Sequence, residues 1–228
     1  MRAIPVLCCL VTCAGTVTAN VEKTIFTAPA SGDVSSSSID LVHFRLDALS
    51  SAHSFIPSAR RTRLPVQFPS PQAPRGLESW YVLQDLEEGR RYEVRICWPA
   101  TSPTDFWLDT FPVEDIVRTP DLHFALSEFS HTQKEQLPSR RIPAGALLLR
   151  VQAAASFYTT NQTLMSHPED VPADIILDPY LFNILPQSLG PFAIYLTIVS
   201  IGAWFLSGAV YRCILSVATS PSSKPHNE

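Results

Sequence analysis

The longest apolar stretch of the chain runs from Phe192 to Tyr211 and contains no charged residue. As an α-helix, its 20 residues would extend about 30 Å, which is the thickness of the hydrocarbon core of a bilayer. Leu, Ile, Phe and Val occupy nine of these positions, and such side chains favour insertion into a membrane. The pattern predicts one transmembrane helix over residues 192–211.

A shorter apolar run follows Arg2, which is the only charge before Asn20. Small residues come next and end in Ala19, an arrangement typical of a secretory signal peptide. We predict a signal peptide over residues 1–19, with cleavage between Ala19 and Asn20. An uncleaved membrane anchor is the alternative, but this apolar run is too short to cross a bilayer.

Together the two apolar segments predict a type I, single-pass membrane protein. Residues 20–191 would lie in the secretory lumen, and residues 212–228 would form a cytosolic tail. Arg212 and Lys224 on that tail agree with the positive-inside rule. A GPI-attachment signal is the alternative for the C-terminal apolar run. Such a signal ends the chain, whereas here a tail of 17 residues follows.

Alternation of apolar and polar positions predicts a mainly β lumenal domain over residues 20–173. Its clearest strand runs from Tyr92 to Trp98, where every second residue is apolar. Just before this strand, Gly89 and Tyr92 have the spacing of the tyrosine corner found in sandwich domains. Gly89 would form the turn, and the Tyr92 hydroxyl would bond back to it. We predict an immunoglobulin- or fibronectin-like β-sandwich followed by one C-terminal transmembrane helix.

Three other stretches of this domain are less regular. Residues 146–158 fit either a helix or a strand by composition, and we interpret them as a strand because a proline and a glycine precede them. The pattern leaves the type of element at residues 122–129 open. Residues 50–76 contain five prolines and a basic cluster around Arg61, which indicates an exposed insertion. That cluster fits either a solvated loop or a site for acidic headgroups.

The stretch between the predicted domain and the predicted helix, residues 174–191, is more apolar than a simple stalk requires. Pro179 and Pro186 make one long helix unfavourable there. We hypothesise that this apolar juxtamembrane segment lies in the membrane interface or docks on another membrane protein, with Leu181 and Phe182 as contact residues. The alternative is that it packs on its own domain.

Small residues give the predicted transmembrane helix a possible contact face. Ser200, Ala203 and Ser207 follow a helical spacing and would allow another helix to approach closely. Small residues are common in membrane spans, so a helix that serves only as an anchor is the alternative.

Charge and cysteine content limit the possible partners of the domain and the ways in which it can be stabilised. Residues 20–191 carry 14 basic and 20 acidic residues, a net charge of −6, which argues against nucleic acid as a partner. Cys97 is the only cysteine between the signal peptide and the transmembrane helix, so the domain cannot form an internal disulfide. A domain of this size can be stabilised by its hydrophobic core alone.

The sequence shows no motif for catalysis. Its eight glycines form no nucleophile elbow, phosphate-binding loop or dinucleotide fingerprint, and its histidines lack metal-ligand spacing. No Asp-x-Asp occurs, so the usual metal-nucleotide signature of sugar-nucleotide transferases is absent. We predict no catalytic, cofactor-binding or metal site. Asn161-Gln162-Thr163 is an N-glycosylation sequon, and it falls on the side of the membrane that the signal peptide predicts to be lumenal.

Two short segments and the overall plan resemble a known family. The segments are Asn20 to Phe26, NVEKTIF, and Gly89 to Pro99, GRRYEVRICWP. The plan is a signal peptide, a lumenal domain and one C-terminal span. In these features the chain resembles the fungal co-activator subunit of GPI mannosyltransferase II.

The resemblance implies a non-catalytic subunit of the endoplasmic reticulum membrane. Such a subunit supports a multispanning enzyme that adds the second mannose to the GPI precursor, and the partner alone would use the donor, dolichol-phosphate mannose. Membrane lipid would be a further contact of the chain. Three alternatives remain: a stabilising subunit of another GPI mannosyltransferase, a cell-surface immunoglobulin-like adhesion or receptor protein, and an undetected hydrolase.

Overall fold

The computed structural model describes residues 20–29, 44–51, 57–133, 142 and 145–219. The predicted signal peptide and the last part of the predicted tail, residues 220–228, lie outside the described residues. The strands are β1 (Val21–Thr27), β2 (Asp47–Ser50), β3 (Ser58–Leu64), β4 (Leu77–Gln84), β5 (Arg91–Cys97), β6 (Thr104–Pro112), β7 (Leu147–Ala155), β8 (Val171–Leu181) and β9 (Leu185–Pro186). The helices are α1 (Val113–Arg118), α2 (Pro120–Thr132), α3 (Gln162–Ser166) and α4 (Gly190–Ala218), with a 3-10 turn at Gln187–Leu189.

The strands form two sheets, which we call sheet A and sheet B. Sheet A has the order β1-β5-β8-β3 with every pair antiparallel, and the short β9 pairs with the end of β8. Sheet B has the order β2-β4-β7-β6, in which β2 and β4 are parallel and the other pairs are antiparallel. Asn20, the predicted first residue after cleavage, accepts a hydrogen bond from the Trp98 amide beside sheet A at 3.2 Å.

The main hydrophobic core lies between the two sheets. Val94 and Ile96 of β5 enter it from sheet A, and Leu149 and Val151 of β7 enter it from sheet B. Their neighbours along each strand point to the opposite face because side chains alternate in a strand. The prediction of a mainly β sandwich with one C-terminal apolar helix is therefore confirmed.

Two helices cover the outer face of sheet B and form a third layer that the sequence analysis did not predict. Ile116 of α1 and Leu126 of α2 pack with Trp80 and Leu148 in a second buried cluster. Strands β4 and β7 are thus buried on both faces over much of their length. A strand with two buried faces has a continuous apolar sequence rather than an alternating one, which explains the ambiguity of residues 146–158. Their interpretation as a strand is confirmed by β7.

The interpretation of residues 50–76 as an exposed insertion is wrong for its central part. Residues 58–64 form β3, the edge strand of sheet A, and Leu64 is buried in the main core. The neighbouring residues Arg60 and Arg61 have different partners because successive side chains of a strand point to opposite faces. Arg60 pairs with Asp47, and Arg61 pairs with Asp174 at 2.9 Å. Charged side chains suit an edge strand because they oppose pairing with another chain.

The turn between β4 and β5 contains the hydrogen bond that the tyrosine corner requires. Gly89 has a φ of +72°, a conformation that glycine adopts without steric cost. The Oη atom of Tyr92 accepts a hydrogen bond from the Glu87 amide at 2.8 Å. Tyr92 is fully buried and stacks on Phe26 with ring centroids 5.7 Å apart. This bond fixes the turn that leads into β5.

Candidate functional site

The chain leaves the β domain through β8, and this changes the interpretation of residues 174–191. Residues 174–181 belong to β8, which lies between β5 and β3 in sheet A and carries the fully buried Ile175 and Leu177. They cannot form a separate juxtamembrane segment because one face of β8 is part of the core. Residues 182–189 are the link that remains, and α4 follows it. We call this link and the start of α4 the junction.

The junction begins with a strained loop. Phe182 and Asn183 have φ values of +52° and +57°, which are unfavourable for residues other than glycine. The Asn183 side chain holds the loop against the turn before β5. It accepts a hydrogen bond from the Arg91 amide at 2.9 Å and donates one to the Gly89 carbonyl at 3.2 Å. Local hydrogen bonding of this kind makes asparagine tolerant of a left-handed conformation.

The structure separates the two residues that the sequence analysis paired as partner contacts. Phe182 is 95% exposed, and Ile184 close by is 80% exposed. Leu181 is half-buried and points toward the start of α4, where a Cβ atom added at Gly190 would lie 3.3 Å from its Cδ1 atom. Phe182 and Ile184 therefore form the exposed apolar part of the junction, whereas Leu181 packs within the chain.

A buried group of charges lies on the outer face of sheet A, beside the junction. Glu93 and Asp178 are the two buried carboxylates, with 3% and 0% exposure. An Arg95 Nη1 atom lies 3.5 Å from Glu93 and 3.6 Å from Asp178, and Lys23 Nζ lies 3.2 Å from Glu93. Tyr180 donates to Glu93 at 3.5 Å, and burial raises the pKa of Tyr180 so that its hydroxyl keeps the proton. We call this group the acid–arginine cluster.

The acid–arginine cluster also holds the 3-10 turn that precedes α4. The Ser188 amide donates to the Asp178 carboxylate at 3.3 Å, and both terminal nitrogens of Arg95 lie 3.4 Å from the Ser188 hydroxyl. The sheet and the entry to α4 are thus connected through charged groups that little water reaches. Alternation on β5 showed that Glu93 and Arg95 share a face, but only the tertiary fold brings Asp178 and Ser188 to them.

Helix α4 is longer than predicted. It covers 29 residues from Gly190 to Ala218, two residues earlier and seven residues later than the predicted span of 192–211. Residues 212–218, the first part of the predicted cytosolic tail, continue the helix, and the sequence there contains no proline or glycine that would end it. At 1.5 Å per residue α4 extends about 43 Å, which is more than the hydrocarbon thickness of about 30 Å.

Helix α4 is long and apolar enough to cross a membrane, and it stands clear of the β domain. None of its residues is buried against the rest of the described chain. Ser200, Ala203 and Ser207 lie along one side of it at helical spacing, and all three are exposed. The helix thus has an unpartnered face of small residues.

The sequon lies on the surface of the domain. Asn161 precedes α3, and its side chain accepts a hydrogen bond from the Thr163 amide at 3.0 Å. Both residues are exposed. The geometry leaves room for a glycan at Asn161.

Metal ligands and thiols are the remaining candidate groups for chemistry in the described part of the chain. Among those residues, no group of three or more His, Cys, Asp or Glu side chains could hold a metal ion. Cys97 and Cys213 are free thiols there. Burial raises the pKa of Cys97, so its thiol stays protonated at neutral pH and is a poor nucleophile.

Comparison with known proteins identifies the family. The family model of the GPI-mannosyltransferase II co-activator matches residues 10–206. The chain belongs to this family. It is also 23% identical over 127 residues to a GPI mannosyltransferase 2 subunit of Schizosaccharomyces pombe, a match that covers 56% of this chain and 52% of that protein. The chain thus spans about half the length of this curated relative. No solved structure matches this chain.

Family membership extends across the junction. The matched residues include the whole β domain and more than half of α4. The match therefore includes the sandwich, the acid–arginine cluster and the first part of the apolar helix.

Replacing Arg95 by Leu tests the importance of the acid–arginine cluster. The change removes the cation that lies between two buried carboxylates, so we expect the free energy of unfolding to fall by about 3 kcal/mol. Arg61→Leu is the matched control because the Arg61 side chain is exposed in its pair with Asp174, and a much smaller loss is expected there. Guanidinium titration of the full chain in detergent, followed by tryptophan fluorescence, measures both. Equal losses would contradict a special role for Arg95.

Proposed function

We propose that this chain is a non-catalytic subunit that stabilises or activates the mannosyltransferase adding the second mannose in GPI-anchor biosynthesis. Membership of the co-activator family, over residues 10–206, is the observation that carries the proposal. The name of the Schizosaccharomyces pombe relative supports it. The catalytic site belongs to a multispanning partner, because one helix cannot enclose a lipid-linked sugar donor within the bilayer.

The structure suggests how such a subunit engages its partner. Helix α4 has no partner among the described residues, and its small-residue face permits close contact with another membrane helix. The acid–arginine cluster connects α4 to the β domain through the Ser188 turn. A contact made by α4 would therefore position the domain as well.

The exposed apolar part of the junction provides a second contact with the partner or with lipid. Phe182 and Ile184 lie within eight residues of the start of α4, so they sit near the membrane surface once α4 is inserted. Apolar side chains at that depth are favoured by the interfacial region of a bilayer or by an apolar surface of another protein. The strained backbone at Phe182 supports a functional role, because such strain concentrates at functional sites.

The proposed location is the endoplasmic reticulum membrane, with a single span and the β domain in the lumen. GPI-anchor biosynthesis implies this membrane, and α4 supplies one candidate span. The predicted signal peptide and the exposed Asn161 sequon support the lumenal orientation.

The junction is tested by replacing Phe182 and Ile184 together by Ser. Both side chains are exposed, so folding should be unaffected, whereas copurification of the mannosyltransferase from detergent should fall about tenfold, equivalent to about 1.4 kcal/mol. Tyr158→Ser is the matched control, since Tyr158 is an exposed aromatic residue elsewhere on the domain. Quantitative immunoblotting of the purified complex measures the effect. Undiminished copurification would show that the junction does not contact the mannosyltransferase.

The small-residue face is tested by replacing Ala203 and Ser207 together by Leu. The added bulk should separate the two helices and reduce copurification of the mannosyltransferase about tenfold. Ala209→Leu adds similar bulk on the opposite side of α4 and should have little effect. If both variants copurify the enzyme as well as the original chain does, α4 acts only as an anchor.

The orientation and location are tested at Asn161. We expect the chain to carry a glycan that a high-mannose-specific glycosidase removes, because a resident of the endoplasmic reticulum does not acquire mature glycans. Asn161→Gln should migrate like the deglycosylated chain, and Gln162→Ala, which keeps the sequon, should not. A glycosidase-resistant glycan at Asn161 would instead indicate export to the cell surface.

A further inference from the structure

A cleft of about 680 Å³ lies on the outer face of sheet B, beside the part that the helices cover. One wall is the segment between β3 and β4, the other is α2, and the floor is formed by the polar outward side chains of β4 and β7. No part of the proposed function uses this cleft.

The first wall is held firmly on the sheet. The Gln67 carbonyl accepts a hydrogen bond from the Ala155 amide at 3.0 Å, so this segment continues the hydrogen bonding of β7. At the other end Gly76 has a φ of +75°, and a Cβ atom there would lie 1.9 Å from the Ala153 carbonyl oxygen. Only glycine permits so close an approach. The cleft is therefore a preformed feature of the fold.

The polar groups of the cleft are rich in amides and balanced in charge. Four glutamines line it, and their side chains come from both walls and the floor: Gln67, Gln72, Gln133 and Gln152. Two arginines and two glutamates also line it: Arg75, Arg150, Glu78 and Glu128. These charges cancel among the described residues, which therefore give the cleft no net positive charge to attract a phosphate or another anion.

The floor is organised around Arg150. Its Nη2 atom lies 2.7 Å from Asp109, and Gln152 donates to Glu78 at 2.8 Å. The Nε atom of Arg150 and the Oε2 atom of Glu78 are buried and have no hydrogen-bond partner in the described part of the chain. Buried polar atoms without partners are uncommon. Because these two are shielded from solvent, they belong to the support beneath the floor and do not face a ligand in the cleft.

An exposed aromatic ring completes the site. Phe124 of α2 lines the cleft, yet 70% of it is exposed. A hydroxyl group donates one hydrogen bond and accepts others, and an amide side chain can do both in return. A sugar combines such hydroxyls with an apolar ring face, which can stack on an aromatic side chain. Gln152 is already bonded to Glu78 and Arg75. The glutamines of the two walls, the balanced charges of the described residues and an open phenyl ring thus match a neutral, polyhydroxylated ligand.

We propose that this cleft binds a neutral oligosaccharide. The glycan could be free or part of a glycolipid, because both present the same hydroxyl groups and ring faces. The inference goes beyond the co-activator function, which requires no ligand on this chain.

The test uses the purified full chain in detergent, without a mannosyltransferase, so its result does not depend on the co-activator function. Saturation-transfer NMR is recorded with α-mannobiose, maltotriose and chitobiose at millimolar concentrations. We expect at least one of them to bind. Phe124→Ser and Gln72→Ala, both at exposed positions, should each weaken that binding about fivefold.

Two controls make the outcome decisive. Tyr158→Ser removes an exposed aromatic residue outside the cleft and should leave the affinity unchanged, and circular dichroism should show all variants to be folded. Absence of saturation transfer to all three sugars, or equal weakening by Tyr158→Ser, would overturn the proposal.

A second arm distinguishes the source of the glycan. A glycolipid that carries the bound oligosaccharide is presented in phosphatidylcholine vesicles to the chain reconstituted in the same lipid. Loss of its binding in Phe124→Ser supports recognition of the sugar in the cleft. Equal binding by both forms of the chain would mean that lipid contacts alone hold the glycolipid, and it would contradict a role for the cleft.

Discussion

Two carboxylates that are buried away from water determine the arrangement of side chains where sheet A meets the membrane helix. Glu93 and Asp178 are buried on the outer face of sheet A, and a buried charge is stable only when paired and hydrogen-bonded. Arg95 lies between them, and the Ser188 amide binds the Asp178 carboxylate. Asp178 receives the Ser188 hydrogen bond because the turn at residues 187–189 lies against the sheet, and this contact helps to set where the chain leaves the domain for α4.

The remainder of the domain is stabilised by layers of apolar side chains rather than by covalent links. Sheet A and sheet B enclose the main core, and α1 and α2 enclose a second one behind sheet B. Strands β4 and β7 are buried on both faces, so the centre of sheet B is packed from both sides. The same sheet forms the floor of the proposed oligosaccharide cleft, which Arg150 and Gln152 of β7 line.

These features suit a subunit that acts through surface contacts with a partner or a membrane. The small-residue face of α4 is suited to a helix within the bilayer, and Phe182 and Ile184 are suited to the membrane surface. The proposed oligosaccharide cleft lies on sheet B, whereas the acid–arginine cluster lies on sheet A. The two proposed contact regions therefore lie apart, so the proposed contact with a partner and the proposed contact with a glycan can be changed independently.

The sequence by itself determined the elements whose evidence is local. An uncharged apolar run predicts a helix because a bilayer requires length and hydrophobicity alone, and alternation from Tyr92 to Trp98 predicts a half-buried strand because side chains alternate in β structure. Only the tertiary structure decided which apolar residues are covered. Leu181 and Phe182 are adjacent and both apolar, yet one packs on α4 and the other is exposed. Likewise β3 and the pairing of Arg95 with Asp178 depend on strands distant in sequence, and no local pattern records those pairings.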